Sequence, residues 1–256
     1  MRPWGEDAAQ SAVVEDEEVV ADNGMLDPAD DDVTEESAEG EFLEELPFEA
    51  RVRALEDAVC RQSLHREIEY KILQFCEERR DLHVIEEEVA GYPEFAHAVQ
   101  SQYHLICALE DAGGLRRIEL DENGAEVSPE QKAGLTEDEV DDLVASYSFE
   151  TTEVGRAFVA QHAPRARLIE LLDLVPARRE TYVEVLEFCR EPRGYHDIET
   201  LLAGRDILRF GPDGTEETIQ PSVFLDKLER AGAIVWDGGW RLTEGGEDYL
   251  RELQEK

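Results

Sequence analysis

The sequence predicts a mainly helical fold with small β-hairpins (α+β class), in which one unit occurs twice. Residues 72–91 read ILQFCEERRDLHVIEEEVAG and residues 185–204 read VLEFCREPRGYHDIETLLAG, so ten of twenty positions are identical at a constant offset of 113. Both halves also show the same order of helix and hairpin signals. Residues 1–46 differ sharply, with 17 acidic residues against Arg2 alone. We therefore expect a disordered acidic N-terminal tail before two repeated folded units.

The repeated unit is clearest near the C-terminus, in residues 219–250. A helix with apolar residues at helical spacing is expected to end at Gly232 in a left-handed cap. A short apolar strand and its return strand then flank the turn Asp237-Gly238-Gly239, so that Trp236 and Trp240 can pair across a hairpin. Thr243 is expected to cap the closing helix.

The same signals recur in the first half at different spacings. The segment from Leu109 to Gly113 matches Leu228 to Gly232 at an offset of 119, whereas Thr152 and Gly155 match Thr243 and Gly246 at an offset of 91. The first copy therefore carries 28 extra residues between its third and closing helices. This insertion contains a turn at 121–124 and a helix that Thr136 is expected to cap. The predicted domains are a tail over 1–46, a first domain over 47–163 with the insertion, and a second domain over 164–256.

Several side chains have predicted structural roles. Phe75 and Phe188, which the repeat pairs, should both be buried, and His83 and His196 should begin the second helix of each copy. A further apolar stripe joins Leu64 to Phe75. The four cysteines have no CxxC spacing and are expected to be reduced, buried thiols in a cytoplasmic protein: Cys60, Cys76, Cys107 and Cys189.

The motif L-E-R-A-G, followed by W-R-L-T-x-x-G, resembles the recognition helix, wing and closing helix of the winged-helix (winged helix-turn-helix) superfamily. The resemblance implies two tandem winged-helix domains over about residues 48–256. Winged helices commonly bind DNA through the third helix and the wing. Acidic tandem winged helices also resemble the kite subunits of chromosome-condensing complexes, such as segregation and condensation protein B, in which the fold binds protein.

Charge argues against a polyanionic partner. The net charge is −16 over residues 1–46, −15 over 47–162 and −7 over 163–256, which accounts for the total of −38. Such a field repels nucleic acid and anionic membranes and favours a protein partner with a basic or apolar surface. No apolar run reaches the length of a membrane span, and the N-terminus lacks the pattern of a secretory signal.

Two sets of residues are candidates for contacts. In the second copy, the third helix and hairpin offer a possible nucleic-acid or partner contact through Gln220, Lys227, Arg230, Trp240 and Arg241. In the first copy no Lys or Arg lies between Arg80 and Arg116, so DNA contact is not expected there. His97, Ser101 and His104 on the predicted third helix are a candidate partner face, with a solvated helix face as the alternative.

The sequence contains no phosphate-binding loop, dinucleotide fingerprint, zinc-protease motif or nucleophile elbow, so we expect no enzymatic activity, no metal and no cofactor. We interpret the chain as a regulator or adaptor that acts mainly through protein contacts. Two alternatives stay open: a transcriptional regulator that binds DNA through its second domain, possibly as a homodimer, and an acidic mimic of DNA. The apolar pairs at 13–14, 19–20 and 42–43 leave open that the tail docks on a partner.

Overall fold

The computed structural model of the chain describes residues 46–62, 64–205, 209–210 and 217–255. The predicted tail therefore lies outside the described residues, apart from Leu46. The described part is mainly helical with a few short antiparallel strands, as predicted. We describe it as two halves, which meet at the connection between Gln161 and Pro164.

The first half contains seven α-helices and three strands among the described residues. A 3-10 helix, Pro93–His97, precedes the helix that the repeat predicts as the third. The elements in chain order are α1 (Phe48–Arg61), α2 (Arg66–Phe75), β1 (Arg80–Asp81), α3 (Leu82–Ala90), α4 (Gln102–Asp111), β2 (Leu115–Leu120), α5 (Pro129–Lys132), α6 (Glu137–Leu143), β3 (Ser146–Thr151) and α7 (Glu153–Gln161).

The second half repeats the order of the five longer helices without the two short helices of the insertion, and it carries an additional two-stranded hairpin before its third helix. A 3-10 helix, Pro176–Arg178, leads into its second long helix. The elements are α8 (Pro164–Leu174), α9 (Arg179–Phe188), α10 (Tyr195–Leu202), β4 (Arg209–Phe210), β5 (Glu217–Thr218), α11 (Pro221–Arg230), β6 (Ile234–Trp236), β7 (Trp240–Leu242) and α12 (Glu244–Gln254).

Each half has a small antiparallel sheet of the same pattern. In the first half β3 lies between β1 and β2, and Arg80 of β1 pairs with Phe149. In the second half β6 pairs with β7, with Trp236 opposite Trp240 and their rings edge to face at 5.5 Å. The place of β1 is taken by a single bridge between Arg193 and Trp240. Because Arg193 stands 113 positions after Arg80, the repeat extends to the third strand of the sheet.

Two hydrophobic clusters form the interior, one in each half. The first gathers side chains of α1, α2, α3, α4 and α7 with Leu115 and Phe149 from the sheet. The second is built in the same way around α8, α9, α10, α11 and α12. Tyr182 packs against Phe224 in the second cluster, with ring centroids 5.1 Å apart. Burial of these apolar surfaces supplies most of the driving force for folding of each half.

The closing helix of each half is anchored by a threonine at its start. Thr152 accepts a hydrogen bond from the amide of Gly155, and Thr243 accepts one from Gly246. Each hydroxyl also donates to the carbonyl of the glycine that ends the third helix, at 2.7 Å to Gly113 and 2.5 Å to Gly232. Both of these glycines have a positive φ, at 73° and 70°, as a left-handed cap requires. The predicted caps are therefore confirmed in both copies.

The repeated phenylalanines differ from the prediction. Phe75 and Phe188 are half-buried rather than buried. The guanidinium of Arg80 lies 5.0 Å from the ring centroid of Phe75, and that of Arg193 lies 4.3 Å from Phe188. Each ring is thus covered on one side by an arginine at the protein surface. The prediction that Leu64 belongs to the apolar stripe of α2 is also wrong, since this residue is exposed.

The insertion of the first half is an extended hairpin with two short helices. Asp121 accepts hydrogen bonds from the amides of Asn123 and Ala125, which closes the predicted turn. Ser128 and Thr136 each form a capping box at the start of α5 and α6. The predicted turn and the Thr136 cap are therefore confirmed.

We expect Gly155→Ala and Gly246→Ala to destabilise the protein to a similar extent. A Cβ at these positions would lie 2.4 Å from the carbonyl oxygen of Gly114 and 2.3 Å from that of Ala233, so the closing helix would have to move away from the sheet. Overpacking of this kind costs about 1–3 kcal/mol in the free energy of unfolding. Urea denaturation of each variant gives this quantity.

Gly194→Ala is the matched control, because Gly194 has a φ of −76° and a Cβ there would meet an ordinary contact at 3.4 Å. An unfolding midpoint for Gly155→Ala equal to that of Gly194→Ala would contradict the close approach.

Candidate interaction surfaces

The two halves are joined by one buried arginine at the start of α8. Arg167 is 8% exposed and donates to the carbonyl of His162 in the connection at 2.8 Å and to that of Arg230 at the end of α11 at 2.7 Å. It also forms an ion pair with Glu67 of α2 at 2.7 Å. Its guanidinium lies 5.3 Å from the ring centroid of Tyr70. One side chain therefore binds the first half, the connection and the second half.

The sequence patterns did not predict this contact, which lies beside Gly232. A Cβ on Gly232 would lie 2.7 Å from the Arg167 guanidinium and 3.2 Å from the Glu67 carboxylate. The equivalent Gly113 has no atom within 4 Å of such a Cβ. Both glycines are explained by the helix cap alone, so nothing in the sequence distinguishes the one that also lies at the contact between the halves.

Two bases predicted to face outward on the third helix of the second half line a groove between the halves instead. Lys227 and Arg230 border a space of about 340 Å³ together with Arg66 of α2 and Arg167. Arg230 is paired with Asp226 one turn earlier at 2.9 Å. Both side chains therefore border the groove, and the charge of Arg230 is partly neutralised.

Two of the other candidate contacts of the second half, Trp240 and Arg241, have structural roles within the hairpin. The structure shows no such role for Gln220. Arg241 pairs with Asp237 at 3.0 Å. Trp240 is half-buried, packs against the hydrophobic cluster of the second half and makes backbone hydrogen bonds to Arg193. Gln220 precedes α11 and is exposed, without a capping hydrogen bond from its side chain. Lys227 and Arg230 thus line the same groove, and Arg241 does not line it.

The predicted partner face of the first half is split between two elements. His97 ends the 3-10 helix rather than lying on the third helix, and it borders a cavity of about 150 Å³ at the second half with Arg230 and Trp236. Ser101 instead caps α4, and its hydroxyl lies 2.7 Å from Nδ1 of His104. The placement of His97 on α4 is therefore wrong, because Pro93 starts a separate turn and Ser101 provides the helix start.

An exposed apolar surface lies beside His104 and was not singled out from the sequence. Tyr103 on α4 is 43% exposed, and Val99 just before the helix is 78% exposed. Ala108 is exposed one helical turn after His104. Large apolar side chains at the surface of a third helix are typical of protein contacts. His104 and Ala108 are four residues apart and therefore lie on one side of the helix, but this spacing gives no indication that Tyr103 and Val99 are exposed.

Glu69 is a buried carboxyl group without a hydrogen-bond partner at Oε2 among the described atoms. Burial raises its pKa to about 7. By the repeat offset of 113 it occupies the position of Tyr182, a core residue of the second half. Burial also lowers the pKa of His65, one turn earlier, whose Nε2 accepts a hydrogen bond from the amide of Val99.

Carboxylates from both halves also meet at the cavity that His97 borders. Burial raises the pKa of Glu229 to about 7, with further contributions from Asp226 beside it and Glu94 of the first half. Part of the Glu229 side chain remains exposed, so water screens these interactions in part.

The cysteines are free thiols and follow the prediction only in part. Cys76 and Cys189 are buried at equivalent positions, and burial raises the pKa of the first to about 12 and of the second to about 11. Thiols of this kind are poor nucleophiles. Cys107 is half-buried, and Cys60 is exposed at the end of α1, which corrects the prediction that all four are buried.

Within the described ranges we find no group of three or more side chains that could hold a metal ion. None of the helices described is both long and apolar enough to cross a membrane. Comparison of the chain with protein-family models, with curated proteins and with solved structures gave no match. The candidate surfaces are therefore defined by geometry and charge.

We expect Arg167→Ala to lower the free energy of unfolding by about 3–5 kcal/mol, since it leaves the Glu67 carboxylate and two carbonyl groups without their donor. Arg165→Ala is the matched control on the same helix, because Arg165 is half-exposed and pairs with Glu252 at the surface. Such a pair contributes up to about 1 kcal/mol. Urea denaturation compares the two variants, and equal midpoints would contradict the role of Arg167.

We expect the Glu69 carboxyl group to make the protein less stable as pH rises. Because the folded-state pKa is raised from 4.5 to about 7, the stabilising protonated form is fully present below 4.5 and is lost as pH rises through 7. The shift corresponds to roughly 3 kcal/mol. Glu69→Gln should therefore be more stable than the native chain at about pH 8 and similar to it at about pH 4.

Urea denaturation at both pH values measures this difference, and Glu229 titrates in both chains, so its contribution cancels. Glu87→Gln, at an exposed position of α3, should change both free energies little. A Glu69→Gln variant with the same pH dependence as the native chain would show that the carboxyl group is hydrated.

Proposed function

We propose that the chain is a non-enzymatic regulator or adaptor, built from two winged-helix domains over about 47–163 and 164–256, that acts mainly through protein contacts. The order of helices, the sheet with a third strand in the first half and a third-strand bridge in the second, and the threonine-anchored closing helices support the assignment of the fold. The proposed partner binds by a basic or apolar surface, since the chain carries a net charge of −38.

The observation that carries this proposal is the position of α11. In a winged-helix domain that binds DNA, the third helix enters the major groove and needs free cations for phosphate. Here Arg230 pairs with Asp226, and Lys227 faces the groove between the halves. A duplex that approached α11 would therefore meet carboxylates as well as bases, which favours a protein partner over DNA.

The proposed contact surface is the exposed side of α4. Val99 and Tyr103 supply apolar area, His104 supplies a polar group, and Arg117 nearby is already paired with Glu110. Aromatic side chains are enriched among the residues that dominate the energy of protein interfaces. The net charge of −15 over residues 47–162 favours a partner with basic groups around an apolar centre.

A capture experiment with matched variants tests this surface. The native chain, Tyr103→Asp and Tyr195→Asp are used as bait in an extract of the native cells. Tyr103 is 43% exposed and Tyr195 of α10 is 41% exposed, so the two substitutions are similar in cost to the fold. A partner retained by the native chain and by Tyr195→Asp, but not by Tyr103→Asp, would support the proposal; equal retention by all three would contradict the use of α4.

We expect the full chain to bind duplex DNA weakly at about 150 mM salt, where the screening length is about 8 Å. Nonspecific binding with a Kd of about 10⁻⁴–10⁻⁶ M already depends on several cationic contacts to phosphate, and the first half offers few. Fluorescence anisotropy with random and genomic duplexes measures the affinity.

Lys227→Glu combined with Arg230→Glu should abolish any residual binding if it occurs through α11. Submicromolar, sequence-selective binding by the native chain that these substitutions remove would overturn the adaptor proposal and establish DNA binding by the second domain.

A further inference from the structure

Four bases and two carboxylates, Glu170 and Asp226, line the groove between the halves, and two of the four bases form no ion pair with a described carboxylate. Arg66 comes from α2 and Lys227 from α11, and both are half-buried. Within the described ranges neither forms an ion pair, and the hydrogen bond of Arg66 is to Nδ1 of His162 at 3.5 Å. Partly burying a charge without a counter-charge costs free energy. An anionic group bound between the two halves would offset this cost.

The wall of the groove next to these cations is apolar. Leu174 at the end of α8 is 68% exposed, and Leu171 and Ala231 also line the space. An inorganic anion would satisfy Arg66 and Lys227 but leave Leu174 in water. A peptide with carboxylates beside aliphatic side chains matches both parts of the groove.

The chain itself contains such a peptide. Residues 13–20 read VVEDEEVV, so two valine pairs flank a run of four carboxylates. The whole of residues 1–46 carries a net charge of −16. A short acidic segment with aliphatic ends therefore has carboxylates to pair with Arg66 and Lys227 and apolar side chains to cover Leu171 and Leu174.

The connecting chain is long enough for this contact. Phe48, the first residue of α1, stands 28 positions after Val20. An extended chain of that length spans up to about 90 Å, whereas α1, with its 14 residues, is about 21 Å long. Cys60 near the end of α1 lies within electrostatic range of Arg66 and Arg167. The groove is therefore within reach of residues 13–20.

We propose that residues 13–20 bind in this groove of their own chain, with carboxylates on Arg66 and Lys227 and valines on Leu171 and Leu174. The bound segment occupies the bases of the second half and competes with any external acidic ligand for them. This proposal concerns the groove, whereas the proposed function concerns α4, so each can fail without the other.

Photo-cross-linking in the full chain tests the contact. A photo-reactive amino acid replaces Val14 in one protein and Ala29 in a second, which serves as the control. Mass spectrometry then locates the cross-linked peptides. We expect cross-links from position 14 to residues 165–175 and 221–231, at higher yield than from position 29, and a lower yield at high salt.

A charge exchange makes the test specific. Arg66→Glu with Lys227→Glu should lower the yield from position 14 roughly tenfold, because two ion pairs become repulsive. Replacing Glu15, Asp16, Glu17 and Glu18 by lysine in that variant should restore it, which also shows that the variant is folded. Arg251→Glu, at an exposed position of α12, should leave the yield unchanged.

Cross-links from position 14 spread over the surface, a yield that the charge reversal leaves unchanged, or cross-links that join two chains would each overturn the proposal. The last result would assign the segment to the groove of a second copy. The capture experiment on Tyr103 is independent of all these outcomes.

Discussion

The arrangement of the two halves depends on the hydrogen bonds and the ion pair of Arg167. Its guanidinium donates to the carbonyl of Arg230 at the end of α11, and it neutralises Glu67 in a site that is largely closed to solvent. A planar group with several donors in a fixed geometry suits this position, and lysine would not reproduce it. The relative position of α2 and α11 follows from this contact, and with it the groove that separates them.

The two halves share the capping and surface contacts of the repeated unit more closely than they share the residues of their cores. The threonine caps, the glycine that ends each third helix and the arginine over each phenylalanine recur in both halves. Around this common frame the halves differ in polarity. Glu69 occupies the position that Tyr182 fills in the other core, and the first hairpin carries an acidic insertion. Duplicated folds keep the contacts that close the structure, while other positions are free to change.

Ion pairs within the second half bear on whether this half can bind nucleic acid. Arg230 and Arg241, the bases that a nucleic-acid surface would need, lie beside Asp226 and Asp237 on the same elements. Intramolecular pairs of this kind reduce the attraction to phosphate without changing the number of bases. Arg66 and Lys227, which form no ion pair with a described carboxylate, lie instead in the groove between the halves, where a segment smaller than a duplex is needed to reach both.

The sequence by itself determined the repeat, the mainly helical fold class, the caps at Thr136, Thr152 and Thr243, and the pairing of Trp236 with Trp240. These features depend on contacts between residues close in the chain or at a constant offset, and such patterns are visible in the residue order. Only the tertiary structure decided that Lys227 borders the groove between the halves, that His97 and Ser101 lie on different elements, and that Glu69 is buried. Each of these depends on which surfaces meet across the two halves or within a core, and residue spacing carries no information about contacts of that range.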